Sequence, residues 1–360
     1  MIAATFHESE ETRSVLTQAL YNVHGANMRL ERWVSDARFT EHGKRRVVRY
    51  DLEVREAGLS RLQKYRWVGK YYEREENALL VASVLRIIKR SETARTAGLV
   101  VPTVLSYHSP HHLLLLTFES GESLTTAISK ETRSILTTVG HALGALHGMQ
   151  IAPPMVASTT TVLADLKPRV EDLSSWLPRD EFRLRREFAR LEDEAPTSPP
   201  HIGFVHNDFG PANLLWRPGE LVVLDFDKCA QGDPALDLGN FLVQLRRRAI
   251  LHPEKLPNFP AARRALLETY SDWCHSDRRL EDRVAWYERA ILLKKGHRLW
   301  LEGKNQGSED GARHIADARR LLGVFLQESL QQVRGPLSAD ENPSLSIDSK
   351  TLRGGVHRSW

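Results

Sequence analysis

Between His206 and Asp227 the chain reads HNDFGPANLLWRPGELVVLDFD, and no other segment constrains its fold as tightly. The runs NLLWRP and ELVVLDFD have strand composition and RPGE between them has turn composition, so a small hairpin is expected. Asp208 and Asn213 stand at D-x-x-x-x-N spacing just before the first strand, and Asp225 ends the returning one. Such a layout aims two carboxylates and an amide at one point.

Phosphoryl transfer from a nucleoside triphosphate uses this set of groups: a carboxylate near the acceptor hydroxyl, and oxygen ligands for magnesium ions that bridge the phosphates. On this reading Asp208 is the catalytic base and Asn213 with Asp225 hold the metal, in the order of a kinase catalytic loop and the aspartate that follows it.

Around this segment the pattern changes along the chain. A length of 360 residues suggests two domains at about 150 residues each. Residues 8–23 repeat apolar positions at helical spacing, with Val15, Leu16, Ala19 and Leu20 on one stripe. From Met28 the pattern is that of three strands joined by the turns EHGK and REAG, then a helix from Glu73 to Arg90 with acids first and bases last. GLVVPTVLSYH and HHLLLLTFES read as two further strands, and Gly121 releases the chain from the sheet. Beyond it the pattern is mainly helical apart from GFVHND and the hairpin. The expected fold is α+β and two-lobed. Residues 1–27 are a helical extension, 28–120 a small antiparallel-sheet N-lobe, 121–334 a larger helical C-lobe, and 335–360 a disordered tail.

Three separated blocks, HNDFGPAN, LDFD and GDPALDLGNF, resemble the aminoglycoside phosphotransferase and choline kinase family, which has a protein-kinase-like fold. VGK, the Glu-headed helix, VPTVLSY, LLLLTFESGESL and LGALHGM extend the resemblance over residues 28–330. Asn207 replaces the usual Gly and Gly210 a common His; Asn tolerates the same positive-φ backbone. EHGK offers one glycine where G-x-G-x-x-G would cover a nucleotide. The resemblance implies an ATP- or GTP-dependent, Mg²⁺-using phosphotransferase acting on a small-molecule hydroxyl: a sugar, an aminoglycoside-like polyol or an amino alcohol. It implies that Lys70 reaches the α and β phosphates with Glu76 as its partner. Glu75 and Glu73 are the other choices for that partner, and Lys64 for the lysine, since both lysines share a strand face. Adenine is expected beside Thr117, Phe118 and Glu119. His206 braces the loop, Asp227 contacts a second metal or sits beside the site, Asp233 starts the next helix, and Asp237 ties that helix to the catalytic loop.

The rival readings are weaker. A catalytically inactive, nucleotide-binding regulator on the same fold would be expected to lack Asp208, Asn213, Asp225 or Lys70, and all four are present. Nucleic-acid binding would rest on KRRVVR and RLQKYR, but the net charge is only +4 and the basic residues alternate with apolar ones as on a solvated sheet face. A protein kinase would need a D-F-G to A-P-E segment, whereas GDPALDLGNF runs straight into a helix. Cys229 and Cys274 fit neither a disulfide framework nor a zinc site and suit a reducing cytoplasm, and no membrane span or signal peptide is expected.

Overall fold

The computed structural model describes residues 9–39, 46–58, 61–197, 201–273, 277–306 and 309–333. The turn EHGK, Cys274 and the tail from residue 335 lie outside them. Helix α1 (Glu10–His24) is capped by the Ser9 hydroxyl, which accepts the Thr12 N–H at 3.2 Å. Strands β1 (Met28–Phe39), β2 (Arg46–Glu56) and β3 (Leu62–Tyr71) form the expected meander, followed by helices α2 (Glu75–Arg90) and α3 (Glu92–Thr96). The residues read as one strand, GLVVPTVLSYH, divide at Pro102 into β4 (Leu99–Val100) and β5 (Val104–His108); β6 (Leu113–Thr117) completes a sheet in the order β1-β2-β3-β6-β5.

Period-two alternation separates two cores across this sheet. In β2, Val48, Tyr50, Leu52 and Val54 join the α1 residues Leu16, Ala19 and Leu20 on one face. In β6, Leu113 and Leu115 point to that cluster, whereas Leu114 and Leu116 join the α2 residues Val81 and Leu85 on the other. The N-terminal helix is thus packed against the sheet.

The second lobe contains β7 (Glu122–Ser123), α4 (Leu124–Ala127), α5 (Thr132–His147), β8 (Val156–Ala157), α6 (Thr159–Trp176), α7 (Glu181–Asp193) and β9 (Gly203–Val205). The predicted hairpin is β10 (Leu214–Arg217) and β11 (Glu220–Val223), turned by Pro218 and by Gly219 at φ 78°. After β12 (Ala230–Gly232) come α8 (Ala235–Leu251), α9 (Phe259–Ser271), α10 (Leu280–Asn305) and α11 (Glu309–Val333). The hairpin sits in a four-stranded sheet, β4-β11-β10-β7, so β4 and β7 tether it to the chain on both sides of the lobe boundary. Gly121 serves this packing: a side chain there would strike Leu215 and the Trp216 carbonyl, and its φ is not positive. Strand cations on the first sheet are interleaved with acids, Arg49 with Asp36 and Asp51, and Arg55 with Glu31.

Candidate active site

The loop from His206 to Asn213 is held by one buried carboxylate. Asp237, fully buried near the start of α8, accepts the backbone N–H groups of His206 at 2.6 Å and Asn207 at 2.8 Å, and faces His147 Nε2 at 3.2 Å. His206 accepts the Asp208 N–H on Nδ1 at 3.3 Å, which places its proton on Nε2, and that nitrogen donates to the Leu224 carbonyl at 2.9 Å. The imidazole therefore joins the loop to the end of β11 as a brace. Asn207 adopts φ 61°, the conformation that its identity permits in place of glycine. Gly210 lies so close to Gln244 that the family's histidine would need that side chain to move. Asn213 donates its amide to the Asp208 carbonyl at 3.0 Å, leaving its side-chain oxygen for another partner.

Asp225 follows β11 at φ 63° and meets Lys70, whose Nζ lies 2.7 Å from Asp225 Oδ1 and 3.3 Å from Asp227 Oδ2. The Tyr72 hydroxyl donates to Asp227 Oδ1 at 2.8 Å. Burial acts to raise the Asp225 carboxyl, but the ammonium of Lys70 outweighs it and holds the group well below the usual carboxylate range. Sheet register puts Lys70 there: it pairs with Val47 on β2 and Leu114 on β6, with Val68 two residues earlier on the same face. A cavity of about 350 Å³ opens against that face, lined by Val47, Val68, Lys70, Thr117, Phe118, Glu119, Asn213, Asp225 and Asp227. Lys64 is excluded from it. That residue lies beyond the part of β3 that β6 covers, 79% exposed and 3.5 Å from Glu53.

Glu76 is not brought to Lys70. The buried stripe of α2 runs through Ala78, Val81, Ala82 and Leu85, so Glu76 falls on the solvent face, where it pairs with Arg74 at 3.3 Å. Glu75 lies nearer the stripe but accepts from Tyr107 and Ser109 instead. Of the three linker amides, Thr117 donates to the Thr103 carbonyl and Phe118 to that of Arg66, whereas Glu119 N–H has no partner among the described residues. The Glu119 carboxylate accepts from Thr117 Oγ1 at 2.8 Å and Arg217 at 2.7 Å, tying the linker to β10.

Asp208 opens into a different cavity of about 430 Å³, between α6, α8 and α10. Its Oδ2 accepts from Lys228 Nζ at 2.7 Å. The two cavities share no lining residue: Asp208 lines one and Asn213 and Asp225 the other, so the three groups expected to converge on one point do not line a single cavity.

A family model for the phosphotransferase enzyme family matches residues 51–287. The chain belongs to that family. No curated protein matches it. Among solved structures it is similar to a choline/ethanolamine kinase family protein from Mesorhizobium loti (17% identity, 89% of this chain and 97% of that one, TM-score 0.55). It is also similar to an ADP-bound aminoglycoside phosphotransferase, APH(2'')-Ib (13%, 86% and 98%, 0.53), and to the choline kinase of Cryptosporidium parvum (12%, 90% and 96%, 0.58). These likenesses show the two-lobed kinase-like fold, and family membership makes the chain a small-molecule phosphotransferase.

Against that family background, Asp233 and Asp237 are supports: Asp233 accepts the Ala235 N–H at 3.0 Å at the start of α8 and pairs with Arg283 at 2.8 Å. Cys229 is a packed thiol, pushed up to about 12 by burial with Asp227 nearby. Trp286, Tyr287, Glu288 and Trp300 of α10 do not line the cavity in front of Asp208. Trp286 and Tyr287 are core, Trp300 stacks on Trp176, and Glu288 is buried against Arg263. Sequence reasoning missed Tyr72, Lys228, Asp165, Lys294, Lys295 and Arg298. A signal existed for two of these, since KK interrupts the apolar run AILLKKGHRLW.

Proposed function

We propose that this phosphotransferase moves the γ-phosphoryl group of ATP, or of GTP, to a hydroxyl of a small molecule bound against Asp208. The observation that carries the reading is the division of the loop between two cavities, with the base facing one and the phosphate-side groups facing the other. In the first cavity Val47 and Val68 give the apolar walls an adenine needs, and Glu119 N–H is the linker donor left for its edge. Lys70 is the cation for the phosphates.

Among the described residues no three His, Cys, Asp or Glu side chains cluster tightly enough to hold a metal unaided. Magnesium bound with a nucleotide does not need such a cluster, because one or two carboxylates suffice when phosphate oxygens and water complete the octahedron. Asp225 and the free oxygen of Asn213, with Asp227 behind them, are hard oxygen donors that fit this role. When bound, the ion would neutralise charge on the phosphates.

The chain's own groups divide the remaining work. Asp208 Oδ1 has no hydrogen bond among the described residues and accepts the proton of the acceptor hydroxyl, while Lys228 fixes the rotamer through Oδ2. The buried hydrogen bonds of Asp237 and His206 keep this oxygen in place. Asp208→Asn is expected to keep nucleotide affinity within about twofold and to cut diphosphate release about 10²–10⁴-fold, the usual worth of general base catalysis. Unchanged release would refute the assigned base. Nucleotide binding without turnover of any hydroxyl compound would favour the inactive regulator.

A further inference from the structure

The cavity in front of Asp208 is cationic. Its lining carries Lys228, Lys294, Lys295 and Arg298 against only two carboxylates, Asp165 and Asp208. The carboxylates are already engaged: Asp165 pairs with Lys294 at 2.7 Å and with Arg169 at 2.7 Å, and Asp208 with Lys228. Arg298 is held by Glu302 at 2.6 Å. Lys295 alone of the four cations has no ion pair or hydrogen bond among the described residues. Helical spacing aims it: Ile291, Lys294, Lys295 and Arg298 occupy one face of α10, i, i+3, i+4 and i+7. Opposite, on α8, Asn240 lines the cavity and its side chain also lacks a partner among the described residues.

An ammonium and an amide with no partner among the described residues, both opening into one cavity, are groups suited to recognise a ligand. We infer that the acceptor carries an anionic group, a carboxylate or a phosphate ester, which Lys295 binds while its hydroxyl faces Asp208. The inference rests on the phosphotransferase reading and narrows it. An amino alcohol or a polyamine would bring like charge to this lining, whereas an anion pairs the one of its four cations that has no partner among the described residues. None of the four lines the inter-lobe cavity proposed for the nucleotide, and Lys294, Lys295 and Arg298 project from α10. Burial in this setting lowers Lys295 to about 8, so it remains mostly charged at neutral pH and is more fully charged with an anion beside it.

Nucleoside diphosphate release, measured with size-matched neutral polyols and their amino, carboxylate and phosphate-ester counterparts, tests the inference in wild type, Lys295→Met and Lys295→Arg. The expected result is the highest kcat/KM with one anionic set, the better of the two identifying the group. The anionic-to-neutral ratio should fall about tenfold or more in Lys295→Met and survive in Lys295→Arg. Best turnover with neutral or amino compounds, or an unchanged ratio in Lys295→Met, overturns it. Should the true acceptor be absent from all sets, calorimetry of inorganic phosphate binding to protein saturated with a non-hydrolysable nucleotide decides. Binding weakened about tenfold or more by Lys295→Met supports the inference, and no binding sinks it. Failure of the phosphotransferase reading looks different: no nucleotide binding and no diphosphate release with any set.

Discussion

Replacing Lys295 by Met should stabilise the free protein. The ammonium sits in a half-buried position where burial acts first to lower its affinity for a proton; Asp208 opposes this, and Arg298, Arg247 and Lys228 add to it. Lys294 is held by Asp165 on α6 and gives no relief. A fall from 10.5 to about 8 corresponds, at about 1.36 kcal/mol per pH unit, to a ceiling of about 3 kcal/mol for keeping the charge in the fold. Solvent screening of a partly exposed group reduces this to roughly 1–2 kcal/mol. The sign follows from linkage. Because the folded pKa lies below the unfolded one, the unfolded chain holds the extra proton between about pH 8 and 10.5, and stability rises across that window. Met keeps the apolar stem, so little packing is lost. In low-salt buffer without phosphate at pH 7, the variant should melt a few degrees higher, and the gap should close as pH approaches 10.5. Added phosphate should narrow the gap at pH 7 by stabilising only the wild type. A variant that melts lower at pH 7, or a gap indifferent to pH, would refute the argument that the charge is uncompensated.

Asp237→Ala removes the acceptor of two loop amides and leaves His147 facing a void, so urea denaturation should show a loss of about 3–5 kcal/mol; a loss under about 1 kcal/mol would contradict its role as the anchor. Lys70→Met should weaken nucleotide binding about tenfold or more by calorimetry, whereas Glu76→Ala, acting on an exposed pair, should change it by less than about twofold. Equal effects would restore the Lys70–Glu76 partnership. Cys229 should resist thiol reagents at pH 8 until the chain unfolds, because burial suppresses its thiolate; peptide mapping by mass spectrometry that finds it modified within minutes in the native protein would show the pocket to be open.

The hairpin was legible in the sequence because its chemistry and its local structure use the same residues: a turn at Pro218 and Gly219, apolar strands, and acids placed at the strand ends. The resemblance covered the same blocks, and the family model spans them. What escaped depended on phase and register. Glu76 and Glu75 are adjacent in a helix start, and only the buried stripe of α2 shows which one turns outward. Lys64 and Lys70 share a face, and only the pairing of β6 with residues 67–71 shows which one is enclosed. Helix α6 was hidden by Pro168 and by a short buried stripe of Leu166, Val170 and Leu173, so Asp165, which lines the cavity in front of Asp208, was not singled out. Strands β4, β8 and β12 are two or three residues long and exist because a partner strand pairs with them.

Backbone strain and the site coincide in this molecule. Of the three non-glycine residues at positive φ among the described residues, two are Asn207 and Asp225, each costing of order 1 kcal/mol or more. Neither bend could persist if its surroundings were soft, because a relaxed φ would turn the neighbouring carboxylate away. His206 resists both. It is fully buried, its own N–H is tied to Asp237, and its ring bridges the Asp208 amide to the Leu224 carbonyl, the residue before the second bend. Moving either bend therefore breaks a buried hydrogen bond, which costs about as much as the strain that would be released. Asp208 and Asp225 line different cavities, but the two bends that carry them are joined through one imidazole, His206, that lines neither of them.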